Sequence, residues 1–312
     1  MLLGLILGAA ALLLTPERLT PLVSQLCDRY LDAQVRFDTV SVSLFRDFPH
    51  VTLRLRGAEI VSHAFAPLPD SVRQALPAQA DTLARAGRLD VALNALALTS
   101  GRADIRRISL EDAHLNAYVA PDGTPNWNIY RSDTTTVETD TSSTSFVVNI
   151  NRITIRNGLS LSYDSRPDRL SATVTLRSLV VRGDLTTDLL QNDLRRFRLR
   201  DLALRLDADG KVSSARIDSL SVNGRRRVDY TLGLGVKEVV WQGVHWLDSV
   251  RLQTGIRFSG KDHRAVALRD FALHLNDMLV TAEGDATFQG DTVVTHFGLQ
   301  TQGMKLASML HV

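Results

Sequence analysis

The sequence predicts a mainly β protein, a long, twisted, antiparallel-rich sheet with one continuous apolar face. Three observations predict it. Apolar and polar residues alternate with period two in segment after segment, as where Leu202, Leu204 and Leu206 alternate with Ala203, Arg205 and Asp207. Short turn signals separate the segments, at Asn157-Gly158, Asp209-Gly210, Asn223-Gly224 and Glu283-Gly284, and these favour antiparallel hairpins. Long helical patterns between strands are missing, which argues against a parallel βαβ sheet.

The chain opens on an apolar run, Met1 to Leu14. A bilayer-spanning helix needs about 20 apolar residues, and the run lacks the basic flank and the small-residue cleavage site of a signal peptide. We read it as a membrane anchor, truncated at its start. A hydrophobic core helix is the competing reading. Two Thr-Pro pairs follow, each a candidate N-cap with proline at the first helical position. Leu22, Val23, Leu26, Tyr30 and Leu31 then fall at helical spacing, which predicts an amphipathic helix over 20–32. Its polar face is not notably basic, so packing against the end of the sheet is favoured over a membrane surface.

The first strands come next. Val35, Phe37, Val40, Val42 and Leu44 alternate with a slip of phase at Asp38-Thr39. A proline-containing break at Phe45–Pro49 follows. Val51, Leu53 and Leu55 then alternate with Thr52, Arg54 and Arg56, so the two runs read as paired strands. Residues 64–70 are a loop by composition, and 71–80 have room for one or two helical turns. Leu89, Val91 and Leu93 open the next series. Short strands are expected around Ile105–Ile108 and over 114–120, then a turn at Pro121–Pro125. Residues 131–145 are polar with almost nothing to bury, and read as a linker. Ten strands are expected after it, over 146–155, 159–163, 170–181, 197–207, 212–222, 228–234, 249–258, 265–275, 279–288 and 292–300. Residues 184–193 read as a helical excursion. The regions are therefore 1–14 (anchor), 15–32 (amphipathic helix), 33–130 (first β region), 131–145 (linker) and 146–312 (continuing β region).

Composition narrows the classes of function. At 312 residues, 44% hydrophobic and 22% charged, the chain is globular. A net charge of +2 draws it to neither nucleic acid nor acidic partners. The single Cys27 excludes an internal disulfide and a multi-cysteine metal site. No His-Glu-x-x-His, P-loop or Gly-x-Ser-x-Gly pattern occurs. The histidines are scattered, with His263 and His274 at most sharing a sheet region. Arg195–Arg200 and Arg225–Arg227 are the most basic patches, but stacking aromatics are lacking, so nucleic acid is not expected. These patches read as solvated strand edges, or as contacts for anionic headgroups or a partner. Trp127, Trp241 and Trp246 read as core or turn-packing residues. In the turn, Asp122 and Asn126 can hold backbone groups while Trp127 plugs a sheet end. Neither a catalytic residue nor a cofactor nor a metal site is expected.

Three stretches carry a family resemblance. They are Leu14-Thr-Pro-Glu-Arg through Phe48-Pro49 to Ala58-Glu-Ile60, Ile105 to Val119 with Asp122-Gly-Thr-Pro-Asn-Trp127, and Asn151 to Asp164 after the polar linker. In this order they resemble the AsmA family of Gram-negative bacteria. The likeness covers about the first 180 residues well and the rest in texture. It implies an N-terminal helix in the inner membrane, a body in the periplasm, and strands that form a taco-like β-groove lined by apolar side chains, as in TamB and the bridge-like lipid-transfer proteins. Phospholipid traffic and outer-membrane assembly come with it. The anchor is shorter than the family's, its basic flank is missing, and many relatives are longer, so a truncated member is expected.

An apolar sheet face must be covered, closed on itself, or used to hold something apolar. The candidate groove residues are Val51, Leu53, Leu55, Leu89, Val91, Leu93, Leu202, Leu204, Leu206, Phe271, Leu273 and Leu275. The leading expectation is a membrane-anchored protein that binds or conducts phospholipid by its acyl chains, with envelope-assembly proteins as further partners. The alternative is a non-catalytic assembly scaffold that binds outer-membrane proteins by strand addition. An enzyme ranks third.

Overall fold

A computed structural model describes residue 21 and residues 31–43, 50–94, 103–129, 148–186, 193–225, 228–247, 249–259, 264–275 and 278–303. The 1–14 anchor, nearly all of the amphipathic helix over 20–32, Cys27, the Phe45–Pro49 corner, the 131–145 linker, Arg226, Arg227, His263 and residues 304–312 lie outside the described residues. Among the described residues, no helix is long and apolar enough to cross a membrane.

The fold is mainly β, one twisted, open and mostly antiparallel sheet. The chain divides into two compact units, Met1–Val174 with Asp184–Asn192, and Thr175–Gly183 with Asp193–Val312. The first holds β1 (Ala33–Arg36), β2 (Thr39–Ser43), β3 (His50–Ser62), the short helix α1 (Asp70–Ala75), β4 (Thr82–Asn94), β5 (Ala103–Val119) and β6 (Val148–Ser165). The strand β7 (Leu170–Thr186) is shared. The second unit holds β8 (Asp193–Ala208), β9 (Lys211–Arg225), β10 (Asp229–Trp241), β11 (Val244–Leu247), β12 (Val250–Ser259), β13 (Ala265–Leu275), β14 (Met278–Gln289) and β15 (Thr292–Gln302). Neighbours in the chain are neighbours in the sheet almost throughout. The exceptions are β1 and β2, which both pair with β3, and β11 and β12, which both pair with β10.

The first predicted pair forms as expected. Val42 lies opposite Leu53 and Val40 opposite Leu55. The phase slip at Asp38 is real, because β1 and β2 are two pieces of one edge broken there. Opposite the break, Gly57 takes φ +57°, and the Asp38 carboxylate packs where its Cβ would be. Only glycine fits that position without strain.

Several turn predictions are corrected. Asp209-Gly210 is a hairpin turn with both residues at positive φ, as two-residue turns require. Asn157-Gly158 is not a turn. It lies within β6, at φ +59° and +114°, where the register with β5 shifts. The two strands predicted on either side of it are one. An Asn-Gly pair supplies left-handed backbone equally well to a turn or a bulge. Asn223-Gly224 and Glu283-Gly284 also lie within strands, β9 and β14. At Gly284 an added Cβ would collide with the His296 carbonyl and the Phe297 ring, so glycine is there for close approach.

Three further differences matter. The strands predicted around Ile105 and His114 are one strand, β5, with Asp112 at φ +51° absorbing a change of phase. Strands β5 and β6 run parallel, an exception to the hairpin pattern. The helical excursion over 184–193 is corrected where it is described. Residues 184–186 end β7 and Asp193 begins β8.

A small core closes one end of the first unit. Phe65, Ala80, Tyr118 and Ala120 are buried together, with Leu68 and Leu76 against them. The Phe65 and Tyr118 rings meet edge to face at 6.0 Å. Asn126 is fully buried among them. Its Oδ1 accepts from the Tyr118 N–H at 3.0 Å, and its Nδ2 donates to the Ala80 and Asn116 carbonyls at 2.8 and 2.9 Å. Asp122 Oδ1 accepts from the Thr124 N–H at 3.0 Å, so the backbone-holding roles expected of Asp122 and Asn126 are met. Trp127 is not a plug. It is 41% exposed and touches Tyr163, while Trp241 and Trp246 are more exposed still, at 54% and 69%.

Candidate functional site

Register, more than any single residue, builds the site. In the first unit the apolar positions of successive strands fall side by side. Val40, Leu55, Leu89, Leu110 and Ile155 form one rank across β2–β6. Val42, Leu53, Val91, Ile108 and Ile153 form the next. In the second unit Leu199, Leu220, Leu234, Leu252, Leu273 and Val280 make a rank six strands wide. Leu202, Ile217, Val236, Val250, Leu275 and Met278 make another. Cross-strand apolar pairs of this kind hold a sheet together, and here they also line one face.

The alternation changes phase along several strands. In β8 it runs through Phe197 and Leu199, then through Leu202, Leu204 and Leu206, with Asp201 at φ +50° between. In β13 Asp270 at φ +50° separates Val266 and Leu268 from Phe271, Leu273 and Leu275. A change of phase without a bulge would send half the apolar residues to the other side. A left-handed residue at the change point takes up the extra step and keeps the apolar side chains together.

The twelve predicted groove residues separate into these two lattices. Val51, Leu53 and Leu55 face Leu93, Val91 and Leu89 across β3 and β4. Leu202, Leu204 and Leu206 lie on β8, and Phe271, Leu273 and Leu275 on β13. None of the twelve is buried. Eleven are half-buried and Leu206 is exposed. A sealed β core would bury residues of this size almost completely.

One apolar hollow was not anticipated from the sequence. It has a volume of about 520 Å³ and lies within the first unit, against Ile60, Leu83, Ala84, Leu115, Leu161 and Val174. Ile60, Ala84, Leu115 and Leu161 are in register across β3–β6. The size suits a small apolar ligand. Its signal was the alternation of Leu115 and Ala117, hidden by the phase change at Asp112.

The opposite face of β3–β6 is polar. Asp90, between Leu89 and Val91 on β4, is buried. Arg54 donates to it at 2.9 and 3.3 Å, and Arg88 at 2.9 and 2.6 Å. Burial acts to raise the Asp90 pKa, but the hydrogen bonds and charges of Arg88 and Arg54 outweigh it and hold the carboxyl at about 2. In the second unit Asp218 and Lys237 pair at 2.7 Å in solvent. Arg195, Arg196, Arg198 and Arg200 of the predicted basic patch are exposed along β8, and His274 is exposed on β13. Among the described residues, no three His, Cys, Asp or Glu side chains are placed to hold a metal ion.

The fold and site together define an open, mainly β sheet with an apolar lattice on one face and charged groups on the other. No protein-family model matches the chain, and no curated protein matches it.

Proposed function

We propose that this protein binds phospholipid by its acyl chains, along the apolar lattice, and passes or presents it in the assembly of a bacterial envelope. The observation that carries this reading is the set of apolar ranks, up to six strands wide, whose side chains are half-exposed except at Val40, Ile155 and Leu199. Each methylene that leaves water there gains about 0.8 kcal/mol. A chain lying across several ranks would be held without a catalytic group, and the repetition of similar weak sites would let it slide. In this reading the 1–14 run anchors the chain in an inner membrane and the body stands in the periplasm, as the sequence resemblance implies. The groove shape is likewise part of the proposal.

The test is native mass spectrometry, with thin-layer analysis of extracts, on the detergent-purified chain. Co-bound phospholipid is expected in the wild type. Leu204→Asp and Leu273→Asp are expected to lose it while keeping a β-type circular dichroism spectrum and a cooperative melt. Unfolding of both variants, or a wild type that carries no lipid, would defeat the reading.

A second reading has its own observation. Strand β15 pairs with β14 and is exposed along its whole length, showing Val293, Val294, Phe297 and Leu299. An edge of this kind suits the addition of a partner's strand, such as one from an outer-membrane protein. Lipid-free protein that captures such a strand in a crosslinking assay would favour it.

A further inference from the structure

We infer that the polar face of β3–β6 carries a second binding site, for a phosphate-bearing anion, separate from the apolar lattice. The site is a hollow of about 290 Å³ within the first unit. Its floor is a row in register, in which Arg54 faces Asp90, Asp90 faces Ser109 and Ser109 faces Thr154. The row on one side holds Arg88, Glu111 and Arg156, again facing one another in turn. On the other side Arg107 and Arg152 complete the lining. Among the described lining residues, two hydroxyls therefore lie at the centre with five guanidinium groups and two carboxylates, Asp90 and Glu111, around them.

These arginines have partners of their own, and the site is read from what those partners leave. Asp90 accepts from Arg54 and Arg88 together and holds both in place. Glu111 lies 3.9 Å from both Arg88 and Arg156, too long for a good hydrogen bond, so it balances charge without occupying their donors. A guanidinium offers five donors in a rigid fork. One carboxylate cannot use the donors of two. The surplus of positive charge, the hydroxyls and the concave shape match a tetrahedral, doubly charged oxyanion, for which arginine is the preferred partner.

The source of that phosphate is a separate matter from its chemistry. Asp90 and Ser109 alternate along their strands with Leu89, Val91, Ile108 and Leu110, so the hollow opens on the side opposite the apolar ranks. A lipid lying on those ranks points away from it. A free phosphorylated molecule, or the headgroup of a lipid in a membrane beside this face, can reach it.

The full chain is titrated calorimetrically with inorganic phosphate, and separately with phosphatidylcholine vesicles with and without phosphatidic acid. Saturable one-to-one binding of inorganic phosphate assigns a soluble ligand. Binding only to vesicles with phosphatidic acid assigns a headgroup. In either arm Arg156→Gln and Arg107→Gln are each expected to weaken binding about tenfold, the worth of one charge-assisted hydrogen bond. Arg156 is two-thirds exposed, so its variant should melt as the wild type does. Arg205→Gln, on the second unit, should bind normally, and so should Leu204→Asp, which separates this site from the acyl-chain reading. No saturation in either arm, unchanged binding by both arginine variants, or equal loss in Arg205→Gln would overturn the assignment.

Discussion

The two units use the same strands and turns but hold themselves together differently. In the first, apolar ranks share the work with a packed end, where Phe65, Tyr118 and Ala120 are buried around Asn126, and with the ion pairs that Arg54 and Arg88 make to the buried Asp90. In the second, Leu199 is the one buried apolar side chain among the described residues. Apart from Leu199 its ranks are half-exposed, and its last strand is exposed on every residue. The first unit therefore has interior groups whose loss leaves something unsatisfied. The second is a ladder whose stability is spread over many equivalent contacts, and whose apolar face gains most from an occupant. The distinction predicts where single substitutions will hurt.

The largest effect should come from Asn126→Ala. The change removes one acceptor and two donors and leaves the Tyr118 N–H and the Ala80 and Asn116 carbonyls short of partners in a buried place. Each such group costs about 1–3 kcal/mol. Relaxation at the chain surface recovers part of this, so a loss of about 3–5 kcal/mol is expected in urea unfolding followed by tyrosine fluorescence. If the second unit unfolds in a separate transition, that transition should not move. A shift of both together would show that the units unfold as one.

Next in size is the charge at Asp90. Its folded pKa of about 2 lies below the unfolded value of about 3.9. A depressed carboxyl contributes stability that is fully present above the unfolded pKa and is lost as pH falls through the folded one. The group should therefore contribute about 2 kcal/mol at neutral pH, and lose it between about pH 4 and pH 2. Asp90→Asn should be less stable than wild type by at least that amount at pH 7, since it also leaves Arg54 and Arg88 without their shared counter-charge. The gap should narrow as pH falls toward 2. Other carboxylates titrate in both proteins and cancel in the difference. A gap that does not change with pH would mean that packing, not charge, is what Asp90 supplies.

How much of this was legible in the sequence follows the same division. The ladders were legible, because alternation at Leu53, Val91, Leu204 and Leu273 is a local signal, and hairpin succession then sets the register. The strand pairing of β2 with β3 needed nothing more. The breaks in the ladders were misread, since Asn157-Gly158 has the composition of a turn and only its partners in β5 reveal a bulge. The parallel pair was invisible for a similar reason: a polar connection does not say to which end of the sheet it returns. Asn126 was legible as a backbone holder from the company of Asp122 and Pro125. Trp127 beside it was misplaced, because size argues for burial while its place in the turn after Pro125 leaves it exposed. The arginine site could not be found along the chain, since Arg54, Asp90, Ser109 and Thr154 meet only once four strands are aligned.

The smallest effect should be at the exposed edge, and it is the one that tests the second unit most directly. Leu299 lies opposite Ala282 and is 68% exposed. Leu299→Lys removes little buried area, so the melting free energy should change by less than about 0.5 kcal/mol. The backbone ladder to β14 is unaffected. What should change is association, because an exposed strand edge with Val293, Val294 and Phe297 is a template for further pairing, and a lysine on such a strand opposes it. Sedimentation velocity over a range of concentrations should show less self-association in the variant. A stability loss of several kcal/mol would mean that Leu299 is covered in solution, and the contrast between a packed first unit and a bare second one would then fail at its outermost strand.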